Sequence, residues 1–159
     1  HNTVRVNGHE PLECWDAFRV ARRYRADGGQ HDADGRSCRA AYRAYQGYRH
    51  AREIRWGDGW RIVDRVQGRG RLRAESFINF APGFAVVEDN GIWTARLKGL
   101  TLVIRPEGAD TVRLVVGEMD PVQGWYCPGF GEAVPAPVLI IESRGDNAIQ
   151  FGYTISRAT

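Results

Sequence analysis

After about residue 50, apolar and polar residues alternate with a period of two, in short β-branched and aromatic runs broken by Gly, Asp, Asn and Pro. That period sends successive side chains to opposite faces of a strand, and the turn residues fold the runs back on one another. Over residues 71–80, Leu72, Ala74, Ser76, Ile78 and Phe80 share one side, while Arg71, Arg73, Glu75, Phe77 and Asn79 share a largely wet one. Further strands are expected at 92–97, 100–105, 111–116, 138–142 and 149–156, and near the start at 3–6 and 18–25. Trp56 and Trp60 flank Gly57-Asp58-Gly59, a three-residue connection whose glycines tolerate the positive φ of a bulged hairpin. Residues 27–36 read as a loop rich in Gly, Asp and His, and residues 37–45 as a short helix beginning at Ser37. The expected fold class is all-β, an antiparallel β-sandwich.

With 159 residues the chain is long enough for one substantial core and asks for no second one, so a single domain over 1–159 is expected. No apolar run approaches the length that spans a bilayer, which excludes a membrane helix. The first residue is His1, and no secretory-signal pattern follows, so the chain reads as an excerpt or a processed piece. Cys14, Cys38 and Cys127 are far apart and lack CxxC pairing, which argues for ordinary thiols and leaves one disulfide open.

Charge is uneven along the chain. Residues 1–73 carry 16 Arg against 9 Asp or Glu, a balance of +7, whereas residues 74–159 carry 6 Lys or Arg against 10, a balance of −4. Lys98 is the only lysine. Arginine's planar fork suits bidentate pairing with carboxylate, sulfate or phosphate, so the basic half permits an acidic partner. A solvated sheet face in an arginine-rich proteome accounts for the same composition.

An ordered set of segments carries a more specific signal. It begins with His1-Asn2-Thr3-Val4 leading into Val6-Asn7-Gly8 and continues through Trp15-Asp16-Ala17-Phe18-Arg19-Val20-Ala21-Arg22-Arg23. His50-Ala51-Arg52-Glu53-Ile54 and Ile62-Val63-Asp64-Arg65-Val66 follow, then Gly68 and Gly70, and then Phe77-Ile78-Asn79-Phe80-Ala81-Pro82-Gly83. The last block is Gly124-Trp125-Tyr126-Cys127-Pro128, Phe130-Gly131 and Pro135-Ala136-Pro137-Val138-Leu139. Taken in order, these segments resemble the C-terminal β-sandwich region of heparinase II/III-like polysaccharide lyases over nearly the whole chain.

That resemblance implies a helical toroid upstream of antiparallel β layers, in a periplasmic or secreted enzyme that cleaves uronate-containing acidic polysaccharide by β-elimination. A base removes the proton α to the uronate carboxyl while that carboxyl is neutralised, and an acid assists departure of the glycosidic oxygen. Family members place the principal Tyr, His and Asn before the His-Asn-Thr strand, so the resemblance assigns this chain no catalytic residue. It does match His1 to a position that joins upstream His and Asp ligands around a structural divalent ion, often zinc. The implied partners are the acidic polysaccharide and the upstream catalytic domain. The rival reading is a freestanding carbohydrate-binding or protein-interaction module.

Other residues carry weaker signals. His9 and His31 read as solvated loop histidines, and His50 as a structural hydrogen-bonding group rather than a base. Trp125, Tyr126 and Phe130 read as loop aromatics plugging one end of the sandwich, with stacking on sugar rings as the alternative. Arg19, Arg22, Arg23 and Arg25 form the densest basic run, with Arg19, Arg23 and Arg25 expected on one strand face. That run could line an anionic groove, grip an acidic neighbouring domain or stand in solvent. Gly68-Arg69-Gly70-Arg71 resembles an RG segment, but no RNP, zinc-finger or helix-turn-helix pattern accompanies it, so no nucleic-acid partner is expected.

Overall fold

The structure, a computed structural model, describes residues 2–16 and 19–158, and no helix occurs among them. The elements in chain order are β1 (Val4–Val6), β2 (Glu13–Cys14), β3 (Val20–Ala21), β4 (Arg25–His31), β5 (Ser37–Arg43), β6 (Arg49–Trp56), β7 (Gly59–Asn79) and β8 (Ala85–Asp89). They continue with β9 (Ile92–Leu97), β10 (Leu100–Glu107), β11 (Thr111–Val116), β12 (Glu118–Met119), β13 (Val122–Gln123), β14 (Trp125–Tyr126), β15 (Val134–Pro135) and β16 (Pro137–Arg157). The main sheet runs β4-β5-β6-β7-β16-β10-β9-β8, with β1 added on β7 and β11 added on β16, and every pairing is antiparallel.

The two 21-residue strands, β7 and β16, organise the molecule. They pair along their length, from Gly59↔Ser156 to Asn79↔Val138. Fully extended, such a strand would run roughly 70 Å. Yet Ser76 Oγ donates to Asp64 Oδ2 at 3.1 Å, twelve residues back on the same strand. The ribbon therefore folds over, so that its β1 and β11 end lies across its β6 and β10 end and two layers share one core. The fold sits where the register slips between Asp146 and Ala148. Gly70 takes φ +73° there, Asn147 takes φ +63°, and the Gly70 N–H donates to Asn147 Oδ1 at 2.9 Å. The Gly68-Arg69-Gly70-Arg71 segment thus belongs to the bend between layers.

Side chains from both layers fill the space between them. Val4 and Val6 of β1, Ile62, Val66, Ala74 and Ile78 of β7, and Leu139, Ile141 and Phe151 of β16 belong to one buried cluster. The expected inward face of 71–80 holds, with Leu72, Ala74, Ser76, Ile78 and Phe80 all buried. The opposite side is drier than alternation implied. Phe77 packs there with Val115, Val138 and Ile140 in a second cluster, and Glu75 is buried beside it.

Local expectations fared unevenly. The strands at 92–97 and 111–116 are found as read, the one at 100–105 extends to Glu107, and 138–142 and 149–156 are two stretches of the single strand β16. The expected helix at 37–45 is wrong, because residues 37–43 form β5 between β4 and β6. Ser37 does not cap a helix; its hydroxyl donates to the Asp32 carboxylate and closes the β4–β5 turn. The expected loop at 27–36 is half right: residues 27–31 belong to β4, with Gly28 at φ +87° in a bulge between Ala26 and Gly29, and residues 32–36 form the turn into β5. The expected strand at 18–25 shrinks to Val20–Ala21, since Arg22 at φ +43° turns the chain out of the extended region, and Phe18 lies outside the described residues. The Trp56 hairpin forms, with Trp56 opposite Trp60, but neither Gly57 nor Gly59 has positive φ. Gly59 is required for space, as a Cβ there would sit 2.7 Å from the Ile155 carbonyl oxygen.

Candidate functional site

Two arrangements concentrate the chain's polar chemistry. The first is buried between the layers. His50, Arg52 and Ile54 alternate inward from β6, and Ile62, Asp64 and Val66 do so from β7, so cross-strand pairing sets His50 and Arg52 beside Asp64. His50 Nε2 lies 2.7 Å from Asp64 Oδ1, and Arg52 binds both carboxylate oxygens, Nε to Oδ1 at 2.7 Å and an Nη to Oδ2 at 2.8 Å. Arg52 also donates to Ser76 Oγ at 2.9 Å and to the Asn2 carbonyl at 2.5 Å. Asp64 and Ser76 have no exposed surface, and His50 is 4% exposed.

Burial pushes the Asp64 carboxyl up, but hydrogen bonds from His50 and Arg52 and the Arg52 charge outweigh it and hold the carboxyl below the usual range. Nearby, burial pushes the Tyr42 phenol up to about 12. The network is a set of mutually satisfied groups locking β6 to both halves of β7. It bears out the structural reading of His50. The role of Asp64 was not read from the sequence, although a carboxylate at an inward position between Ile62 and Val66 was the available signal.

The second arrangement is exposed. On the outer face of β4 to β7 and β10, register sets Arg25, Arg43 and Arg49 side by side, Arg39 opposite Glu53, and Arg55 opposite Arg61. Arg105 stands two strands beyond Arg61, across Thr154. Ala41, Ala51 and Val63 are buried beneath these long side chains and form the floor. Glu53 is a hub, receiving Arg55 at 2.6 Å, Arg65 at 3.1 Å and Arg39 at 3.6 Å. The Arg55 hydrogen bond leads in holding the Glu53 carboxyl below its ordinary range against burial, and Arg65 adds to it. Arg49 does the same for Asp27 at 2.6 Å. Arginines outnumber carboxylates on this face, which makes it a net basic surface. On the opposite, inward face of the same hairpin, the tilted rings of Trp56 and Trp60 lie with centroids 5.9 Å apart.

The remaining candidates disperse. His1 lies outside the described residues. His9 is exposed in a tight turn bridging to Val6, and His31 ends β4 rather than sitting in a loop, though it too is exposed. Arg19, Arg23 and Arg25 do not share a strand face: Arg19 pairs with Asp16 at 2.6 Å, while Arg22 pairs with Glu13 at 3.4 Å and lies over the Tyr45 ring. Trp125 Nε1 donates to the Glu118 carbonyl, but Tyr126 is half exposed and Phe130 is fully exposed, so these two do not plug the sandwich. Cys14, Cys38 and Cys127 are free thiols, with Cys14 and Cys127 exposed.

Comparison with known proteins agrees with this architecture. Residues 1–154 match the family described as Heparinase II/III-like, C-terminal. Solved structures with the same fold include a heparinase III gene product, 16% identical with a TM-score of 0.69, matching 99% of this chain and 24% of its own. Heparan sulfate lyase HepC from Pedobacter heparinus is 14% identical with a TM-score of 0.69, again over 99% of this chain and 24% of its own. Another heparinase III structure is also 14% identical, with a TM-score of 0.69 over 99% of this chain and 23% of its own. The chain therefore spans about a quarter of the length of these lyases. No curated protein sequence matches it.

Proposed function

The chain belongs to the heparinase II/III-like C-terminal family, and from that premise we propose that it is the noncatalytic β-sandwich of a polysaccharide lyase. The enzyme cleaves uronate-containing acidic polysaccharide by β-elimination, and this domain buttresses a helical catalytic domain and presents arginines toward the anionic substrate. The observation that carries the reading is the arginine-paved outer face, on which Arg39, Arg55 and Arg65 share the one carboxylate of Glu53.

Elimination needs a base at the proton α to the carboxyl, a cation or hydrogen-bond donor on that carboxyl, and an acid at the leaving oxygen. The buried His50 and Arg52 are committed to Asp64, between the layers. Its exposed guanidiniums suit the remaining task, binding and orienting carboxylates. The described residues offer no set of three or more His, Cys, Asp or Glu side chains placed to hold a metal. By the family resemblance, zinc bound through His1 would take its other His and Asp ligands from upstream sequence.

The test is an ultraviolet assay for unsaturated uronate ends on heparan sulfate and alginate. The protein that carries this domain together with its catalytic partner should generate them, and the 159-residue chain alone should not. Elimination by the chain alone would overturn the noncatalytic assignment.

A further inference from the structure

Two turns of the chain carry the same dipeptide in the same conformation. Asn7-Gly8 reverses the chain after β1, with φ +52° and +78°, and Asn90-Gly91 joins β8 to β9, with φ +50° and +77°. Positive φ at both central positions is the two-residue hairpin geometry that favours Asn-Gly. All four residues are exposed. Asn-Gly is also the dipeptide most prone to deamidation, because glycine has no Cβ to shield its nitrogen from the asparagine's side-chain carbonyl carbon. Asn2, Asn79 and Asn147, the other asparagines, precede Thr3, Phe80 and Ala148, whose side chains crowd that approach.

The fold treats the two turns differently. Asn7 is fastened to β7 by three hydrogen bonds: its N–H donates to the Arg73 carbonyl at 2.8 Å, its Oδ1 accepts from the Arg73 N–H at 2.8 Å, and its Nδ2 donates to the Arg71 carbonyl at 3.4 Å. Val6 beside it is 1% exposed, so lifting this turn pulls on the core. Asn90 has no such anchor. Among the described residues its side chain bonds only to its neighbour Asp89, Nδ2 to Oδ1 at 2.8 Å. The Gly91 N–H donates to the exposed Glu88 carboxylate at 2.6 Å. Every residue of the tip, 88–92, is exposed, and β8 pairs only with β9 at the end of the main sheet. Such a tip opens at low free energy.

We propose that Asn90 is a deamidation site of this protein and that Asn7 is protected by its bonds to β7. The Gly91 nitrogen loses its proton to a solvent base and attacks Asn90 Cγ, forming an N–Cγ bond. The Cγ–Nδ2 bond breaks, and the side-chain nitrogen takes a proton from water and leaves as ammonia. The resulting succinimide ring takes up one water at either of its two carbonyls, which gives aspartate or, with the chain rerouted through the side chain, isoaspartate. Either product sets a third carboxylate beside Glu88 and Asp89. Isoaspartate also adds a methylene to the backbone, which misfits the two-residue turn and loosens β8 from β9. The modification requires no partner enzyme and holds whether or not the domain serves a lyase.

The test is peptide mapping by mass spectrometry after prolonged incubation of the 159-residue chain, folded and in denaturant, at neutral and mildly alkaline pH. In the folded chain Asn90 should convert about tenfold faster than Asn7, and faster still at alkaline pH, where the attacking nitrogen loses its proton more readily. Isoaspartate at residue 90 should be detected by enzymatic carboxyl methylation, and Asn90→Gln should abolish that signal. In denaturant the two sites should convert at similar rates, which assigns the difference to the fold. An Asn90 that keeps its amide in the folded chain, or an Asn7 that converts as fast there, would overturn the proposal.

Discussion

Arg52 grips Asp64 with two parallel bonds, Nε to Oδ1 at 2.7 Å and an Nη to Oδ2 at 2.8 Å, at a carboxylate with no exposed surface. Taking either partner away strands a charge between the two layers. Breaking a buried pair of this kind costs about 3–5 kcal/mol. Arg52→Ala and Asp64→Ala should each lower the unfolding free energy by about that amount, measured by denaturant titration at neutral pH. A loss near that of an exposed pair, below about 1 kcal/mol, would show that the network is not structural.

The same carboxylate sets the acid limit of the fold. Burial raises the Asp64 pKa, but the His50 and Arg52 contacts lower it further, and for Glu75 burial is likewise outweighed by Arg5 and Arg73. Both groups are therefore depressed in the folded state relative to ordinary values of about 4. A depressed folded pKa gives stability that is fully present above the unfolded value and is lost as pH falls through the folded one. Denaturant midpoints should hold from neutrality down to about pH 5 and then fall with further acid. Asp64→Asn should flatten that acid slope, whereas a slope unchanged by the substitution would assign it to other groups.

Gly152 lies where β16 passes β7 so closely that a Cβ would clash with the Ile62 carbonyl oxygen. Gly152→Ala should destabilise by about 1–3 kcal/mol or more through forced backbone shifts. Gly57, with open space around its Cβ and no positive φ, is the matched control. Gly57→Ala should stay within about 0.5 kcal/mol. Thermal melts of the pair provide the comparison.

Phe130 is fully exposed beyond β14. Phe130→Ser should leave the melting temperature unchanged, since no burial is lost. A clear drop would restore the sandwich-plug role expected from its sequence context.

Much of the fold was legible because one face of each late strand is buried and the alternation records it. Leu72, Ala74, Ser76 and Ile78 could be placed inward from their spacing alone. The misreadings share a cause: short-range signals that serve two structures. Ser37 marks a helix start or a turn closure, and only pairing with β4 and β6 decides between them. Glycines in 27–36 mark a loop or a bulged edge strand. Gly68-Arg69-Gly70-Arg71 reads as an RG segment until the fold of β7 over itself requires left-handed backbone at Gly70. The candidate site was half legible. The period-two placement of Arg55 and Arg61 on one face and Trp56 and Trp60 on the other stands in the sequence, but the meeting of Arg39, Arg55 and Arg65 on Glu53 comes from strand register, which local pattern does not encode.

The central claim is that this domain serves an eliminating enzyme, and the structure of the cut end tests it most directly. Proton nuclear magnetic resonance of the fragments released by the intact protein from a uronate-containing polysaccharide should show the vinylic proton of a sugar unsaturated between C4 and C5. A saturated uronate at the new non-reducing end would mean that water had been added across the bond, and would contradict the account.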